Sequence, residues 1–243
     1  MLGDLGKYLV RMKWSFPSNL LLSRYLAWSE LREALDQLRI NCVFDVGANT
    51  GQFAMGLRKI GYTGWIISYE PSPGDFAAMS RAFGGDPRWR GYQIALGSEG
   101  GTSTFNVTLG DSRLSSFLSL RRPDFGVETI QVEVKRLDAV FEEALGGIKE
   151  PRVFLKMDTQ GFDLKVIEGA SGCVDRVLGL LSEISAEASY NDMPSYLDSL
   201  KVYEGLGFRL KGLSEIAWNR ARGTLVEMDC LMIRNTLTVE DSK

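Results

Sequence analysis

The segment VFDVGANTGQF at 43–53 constrains this chain more than any other. A short apolar run enters two glycines four residues apart, and Phe53, Leu57 and Ile60 then recur at helical spacing until Gly61. That pattern predicts a buried strand, a tight turn and an amphipathic helix, one βα unit of an open α/β sheet. In such a sheet the ligand crevice lies beyond the carboxyl ends of the strands, beside the first βα turn.

Further units follow. Residues 65–70 read as a second strand, after which Ser72 can cap and Pro73 can open a helix carrying Phe76, Met79 and Phe83. Tyr92–Leu96 is the expected third strand. Thr102–Thr108 and Thr129–Leu137 alternate polar and apolar residues, which predicts a half-exposed hairpin inserted at about 102–137. The alternation resumes with Val153–Met157 as strand, Phe162–Ala170 as helix, Gly179–Ile184 as strand and Pro194–Leu206 as helix. Phe208–Leu213 and Thr224–Ile233 complete the set. The expected fold is α/β, a doubly wound, mostly parallel seven-stranded sheet with an antiparallel C-terminal edge.

The domain is expected over 41–236, with a tail at 237–243 and a helical extension at 1–40 broken near Pro17. Leu22, Leu26, Leu31, Leu35 and Leu38 are expected to pack the extension on the core, and Trp14 and Phe16 either to pack with it or to form part of a lid over the cleft.

With 44% hydrophobic residues the 243-residue chain can bury a large core, and no stretch reads as a domain linker or a membrane span. A net charge of -3 offers no field for a polyphosphate, so nucleic acid is not the expected partner and a small or neutral acceptor is. Cys42, Cys173 and Cys230 stand singly, as buried thiols do, and a cytoplasmic location is expected. There is no histidine, so any proton transfer falls to another residue, to water or to a bound metal.

Gly47 and Gly51 permit close ligand approach, and Asp45 suits a cationic amino acid moiety. Glu70, about 20 residues beyond the turn, is placed to accept hydrogen bonds from both ribose hydroxyls. The turn lacks the G-x-G-x-x-G triplet that lets a helix approach a pyrophosphate, so the ligand need not carry one. S-adenosylmethionine has none. Ala95 and Leu96 are expected near the adenine, and Asp158 interrupts an apolar strand at its carboxyl end.

Four segments together resemble the FkbM family of methyltransferases: VFDVGANTGQF, YEPSP at 69–73, LKMDTQGFDLKVIEGA at 155–170, and a tail from Ser182 through GF at 207–208 to MDCLMIR at 228–234. The resemblance implies a class I, Rossmann-like methyltransferase that uses S-adenosylmethionine, and its members often O-methylate sugars, polyketides and related natural products. It implies donor-binding roles for Asp45, Gly47, Asn49, Gly51 and Glu70, with Ala48, Pro71, Ala95 and Asp158 beside them. Phe162-Asp163 departs from the small residue and glutamate that many relatives carry, and residues 1–40 lie outside the match.

The expected base is Asp158 or Glu183, or a water on a divalent metal that they hold, with Glu187 in reserve. Ser112–Ser116 and Tyr190-Asn191 are candidates for contact with a polyhydroxylated acceptor. The competing readings are a nicotinamide-dependent oxidoreductase and a nucleotide-binding protein without chemistry.

Overall fold

The computed structural model describes residues 19–122, 125–219 and 221–234. Trp14 and Phe16, with the proposed lid, and the tail from 237 lie outside them.

The first described helix, α1 (Asn19–Gln37), leads into β1 (Cys42–Val46), α2 (Gln52–Lys59), β2 (Trp65–Tyr69), α3 (Pro73–Phe83) and β3 (Trp89–Tyr92). After β4 (Ala95–Leu96), β5 (Gly101–Thr108) and β6 (Val127–Lys135) come α4 (Leu137–Leu145), β7 (Val153–Met157), α5 (Asp163–Glu168) and β8 (Val177–Ser185). The chain closes with α6 (Tyr196–Gly205), β9 (Phe208–Asn219) and β10 (Thr224–Arg234).

Seven strands form the main sheet in the order β3-β2-β1-β7-β8-β10-β9. All neighbours from β3 to β8 are parallel, and β10 runs antiparallel between β8 and β9. Strand order reverses between β1 and β7, so the crevice opens beyond Val46 and Met157. Both strands are buried along their whole length, as strands covered on two faces must be.

Alternate β1 side chains feed two cores. Phe44 joins Leu137, Phe141, Val166 and Tyr203 of α4, α5 and α6, whereas Val43 joins Leu35, Leu57 and Met79 of α1, α2 and α3. A smaller cluster of Ala95, Phe105, Val132 and Val134 sits in a second sheet ordered β4-β6-β5.

The structure corrects three local expectations. Tyr92–Leu96 is not one strand: β3 ends at Tyr92 opposite Tyr69, the last residue of β2, and beyond it the ladder has no partner. The chain leaves to pair Ala95 and Leu96 with Val134 and Lys135. Leu137 does not end a strand but opens α4, whose Leu137, Val140, Phe141, Ala144 and Leu145 are buried at helical spacing. In α1 only the second half packs as expected, with Leu31 and Leu35, and Leu38 just beyond its end, buried, while Leu22 and Leu26 are 58% and 50% exposed. The helix outruns the apolar core there and borders a cavity, with Arg24 on the cavity wall and Trp28 stacked on Phe53 at 5.5 Å.

Cys42, Cys173 and Cys230 are free and buried. Among the described residues no helix is long and apolar enough to cross a membrane.

Candidate active site

The turn after β1 is held in left-handed backbone at Gly47, Asn49 and Gly51, with φ of 71°, 49° and 88°. Gly47 is required twice over. Its φ disfavours a side chain, and a Cβ there would stand 2.0 Å from the main-chain oxygen of Asp158, where the turn meets the end of β7. Gly47→Ala is therefore expected to cost about 1–3 kcal/mol in backbone strain alone, with the contact adding to it. Thermal unfolding would read this as a lowered Tm, and an unchanged Tm would refute the close approach.

Glu70 leaves β2 beneath this turn and is 5% exposed. Its Oε2 accepts from the Asn49 N–H and its Oε1 from the Ser72 N–H, both at 2.8 Å. Burial pushes its carboxyl up to about 7, and those two N–H groups partly oppose the shift. The carboxylate is thus fixed in orientation, with lone pairs left for a ligand.

On the floor, Lys156 of β7 lies beside Asp45 of β1, its register partner. Nζ is 3.0 Å from Asp45 Oδ1 and 3.7 Å from Asp158 Oδ2, and it donates to the Gly47 carbonyl at 3.1 Å. Burial works against the ammonium, but the Asp45, Asp158 and Asp163 carboxylates outweigh it and hold its pKa above the usual lysine range. Burial raises the Asp45 carboxyl, and Lys156 pulls it back.

A cavity of about 430 Å³ opens over these groups, inside the range of about 300–1,000 Å³ that suits a small ligand. Its wall includes the predicted Gly47, Ala48, Asn49, Glu70, Pro71, Ala95, Asp158 and Glu183. Asp45 and Gly51 stand behind that wall. Asp45 is fully buried against Lys156, and Gly51 faces Phe83 and Met79. Ile94, Leu96 and Phe105 make the wall apolar on one side, and Asp158, Glu183 and Glu227 make it acidic on the other.

Glu183 of β8 also lines that wall. Burial raises its carboxyl well above the ordinary range, and the charges of Asp158, Glu227, Asp229 and Asp163 raise it further. Asp229, opposite Glu183 in the ladder, is pushed up to about 7 by burial and then by Asp158. Glu187 is tied instead to Thr224 and Arg222 near the β9–β10 turn. Among the described residues no three Asp, Glu or Cys side chains are grouped so as to hold a cation.

The inserted hairpin closes the cavity from above. Ser112 accepts from the Asn49 side chain and donates to Asp75, both at 3.0 Å. Ser115 accepts from the Thr108 N–H, and Ser116 donates to the Gln160 carbonyl. Tyr190 is buried with its hydroxyl 2.9 Å from Gln160 Oε1, and Asn191 donates to Ser119. Ser112 and Ser115 line the cavity, Ser112 tied to the turn through Asn49 and Ser115 to Thr108, whereas Ser116 and Tyr190 are bonded to Gln160.

Sequence reasoning had not paired Lys156 with Asp45 or assigned Gln160, Glu227 and Arg24 to the site. The first was legible: each charge stands fourth in a five-residue strand that is otherwise apolar, and a buried charge needs a partner. The others depend on how the hairpin, β10 and α1 fold back, which periodicity does not encode.

A family model described as the methyltransferase FkbM domain matches residues 45–210. The chain belongs to the FkbM methyltransferase family. Its sheet order is that of class I, Rossmann-like methyltransferases, with the glycine turn at the switch point. No curated protein matches this FkbM-family chain. Among solved structures it is similar to an rRNA methylase from Streptococcus thermophilus, at 11% identity over 86% of this chain and 94% of that one, with a TM-score of 0.47. It is also similar to magnesium protoporphyrin IX methyltransferase from Synechocystis PCC 6803 with bound SAM, at 10% identity over 90% of this chain and 83% of that one, with a TM-score of 0.47. A third is Aeropyrum pernix fibrillarin in complex with S-adenosyl-L-methionine, at 11% identity over 78% and 66% of the two chains, with a TM-score of 0.44.

Proposed function

We propose that this FkbM-family protein uses S-adenosylmethionine to methylate a hydroxyl of a sugar, glycolipid, polyketide or similar natural product. The observation that carries the reading is Glu70, buried on the cavity wall with both oxygens oriented by the glycine turn and its flank. That arrangement suits the two hydroxyls of an adenosyl ribose. Ile94, Ala95 and Leu96 would border the adenine, and Gly47 to Asn49 the methionine portion. Asp45 would act from behind the wall, setting the position of Lys156, and Asp158 would face the donor's ammonium. The three free, buried cysteines suit a reducing compartment such as the cytoplasm.

When bound, the donor supplies an electrophilic methyl group on a sulfonium. The acceptor hydroxyl must lose its proton, and on this reading Glu183 takes it, with Asp158 beside it on the cavity wall. Burial raises the proton affinity of Glu183, so its ionised form is a stronger base than an ordinary carboxylate. The hairpin and α1 wall the cavity and limit the water that would compete for the same proton.

Two measurements test the reading. Calorimetric titration should show binding of S-adenosylmethionine and its demethylated product but not of NAD or NADP, and the reverse preference would refute it. With hydroxylated acceptors, Glu183→Gln should lower turnover by a factor of about 10²–10⁴, and Asp158→Asn should lower turnover more than donor affinity. Wild-type turnover in both would remove these carboxylates from the chemistry.

A further inference from the structure

We infer that Gln160 is a positioning residue that holds Asp158 and Glu183 apart as two separate carboxylates, leaving Glu183 free to accept the substrate proton. The inference rests on the reading of Glu183 as the base.

The geometry is specific. Gln160 Nε2 donates to Asp158 Oδ1 and to Glu183 Oε1, each at 2.9 Å, so its two N–H groups serve one carboxylate apiece. The opposite orientation would aim an amide oxygen at two acceptors. Tyr190 favours the first orientation, its buried hydroxyl lying 2.9 Å from Gln160 Oε1 as a donor to it. The phenol has a second acceptor within reach, the Leu114 carbonyl at 2.9 Å. That carbonyl also accepts from the Thr108 hydroxyl at 3.1 Å, so it does not depend on the phenol proton. The main chain is fixed as well: Gln160 has a φ of 53°, and its carbonyl accepts from Ser116 Oγ at 2.9 Å.

A buried amide held at both ends between two acids has a chemical consequence. Two carboxylates in direct contact share a proton and titrate as a pair, which would occupy the base near neutral pH. An N–H placed between them favours the ionised form of each. The surroundings make this necessary, since Glu183 faces Asp158 beyond β7, Glu227 and Asp229 of β10 and Asp163 of α5. The cation on the floor, Lys156, is committed to Asp45, Asp158 and the Gly47 carbonyl. Arg24 of α1 lies on the same cavity wall.

The test is a carboxyl carbon NMR titration of the full chain labelled in glutamate, with Glu183→Gln assigning the resonance. In Gln160→Met the Glu183 midpoint should rise by roughly one pH unit or more, since a donor to the charged form is lost. Tyr190→Phe, which only frees the amide to turn, should give a smaller rise in the same direction, and it keeps the test available if the methionine variant does not fold. An unchanged midpoint in a folded Gln160→Met protein, or in Tyr190→Phe if only that variant folds, would overturn the clamp whatever the donor does. A shifted midpoint together with wild-type methyl transfer by Glu183→Gln would keep the clamp and overturn the base.

Discussion

Lys156→Met should lower the stability of the protein by about 3–5 kcal/mol, which for a chain of this size is a fall in Tm of roughly 6–20 °C. The side chain is replaced by one of similar length, so packing is nearly kept and the effect isolates the charge. Asp45, 0% exposed, would lose the Nζ that stands 3.0 Å away, and the Gly47 carbonyl would lose its donor. An unpaired buried carboxylate escapes its desolvation cost only by taking up a proton.

The sign of the pH dependence follows. Burial already raises the folded-state pKa of Asp45, and Lys156 is the group that lowers it. Without the lysine it rises further, so the folded protein holds a proton that the unfolded chain releases above about 3.9. Stability then falls as pH climbs from that value toward the raised one, and the variant's deficit should be larger at pH 8 than at pH 5. Lys156 itself has a raised pKa, so its own contribution is complete below the ordinary lysine range and is lost only at more alkaline pH. Replacing both partners, Lys156→Met with Asp45→Leu, should recover most of the loss, because an apolar pair needs no compensation. Chemical denaturation across that pH range reads all three quantities. A deficit that does not vary with pH would mean that Asp45 is not the group left unpaired.

The same pair shows how far the residues alone reach. Alternating strand and helix patterns were legible because the sheet is buried on both faces, and that burial forces continuous apolar runs such as CVFDV and VFLKM. The glycine turn and Glu70 were legible because close backbone approach demands glycine and the proposed ribose contact demands a carboxylate at the end of the second strand. The helix Leu137–Leu145 was legible in principle, its apolar residues falling at helical spacing, but the preceding strand's alternation runs into it without a turn signal. The division of Tyr92–Leu96 between two sheets was not legible, since both halves are apolar and only the end of β2 decides where the ladder stops. Nor was the Gln160 clamp, whose partners arrive from the hairpin and from the loop after β8.

Glu70→Ala is expected to weaken donor binding by a factor of about 10²–10⁴, since two hydrogen bonds to a charged acceptor are worth about 1.5–3 kcal/mol each. Glu70→Gln should do nearly as badly. Both carboxylate oxygens accept main-chain N–H groups, so an amide NH₂ in either position would face the Asn49 or Ser72 donor. The ionised form is the one that accepts from ribose hydroxyls, and burial holds this carboxyl at about 7. Donor affinity should therefore fall as pH drops below about 7, approaching tenfold per unit. The free protein should show the opposite trend. A carboxyl whose folded pKa is raised contributes stability at low pH and loses it as pH rises from the ordinary carboxyl range through about 7. Titration calorimetry at several pH values separates the two trends, and in Glu70→Ala the pH dependence of binding should disappear with the affinity. A Glu70→Ala protein that bound S-adenosylmethionine as tightly as wild type would place the ribose elsewhere and take the donor site with it.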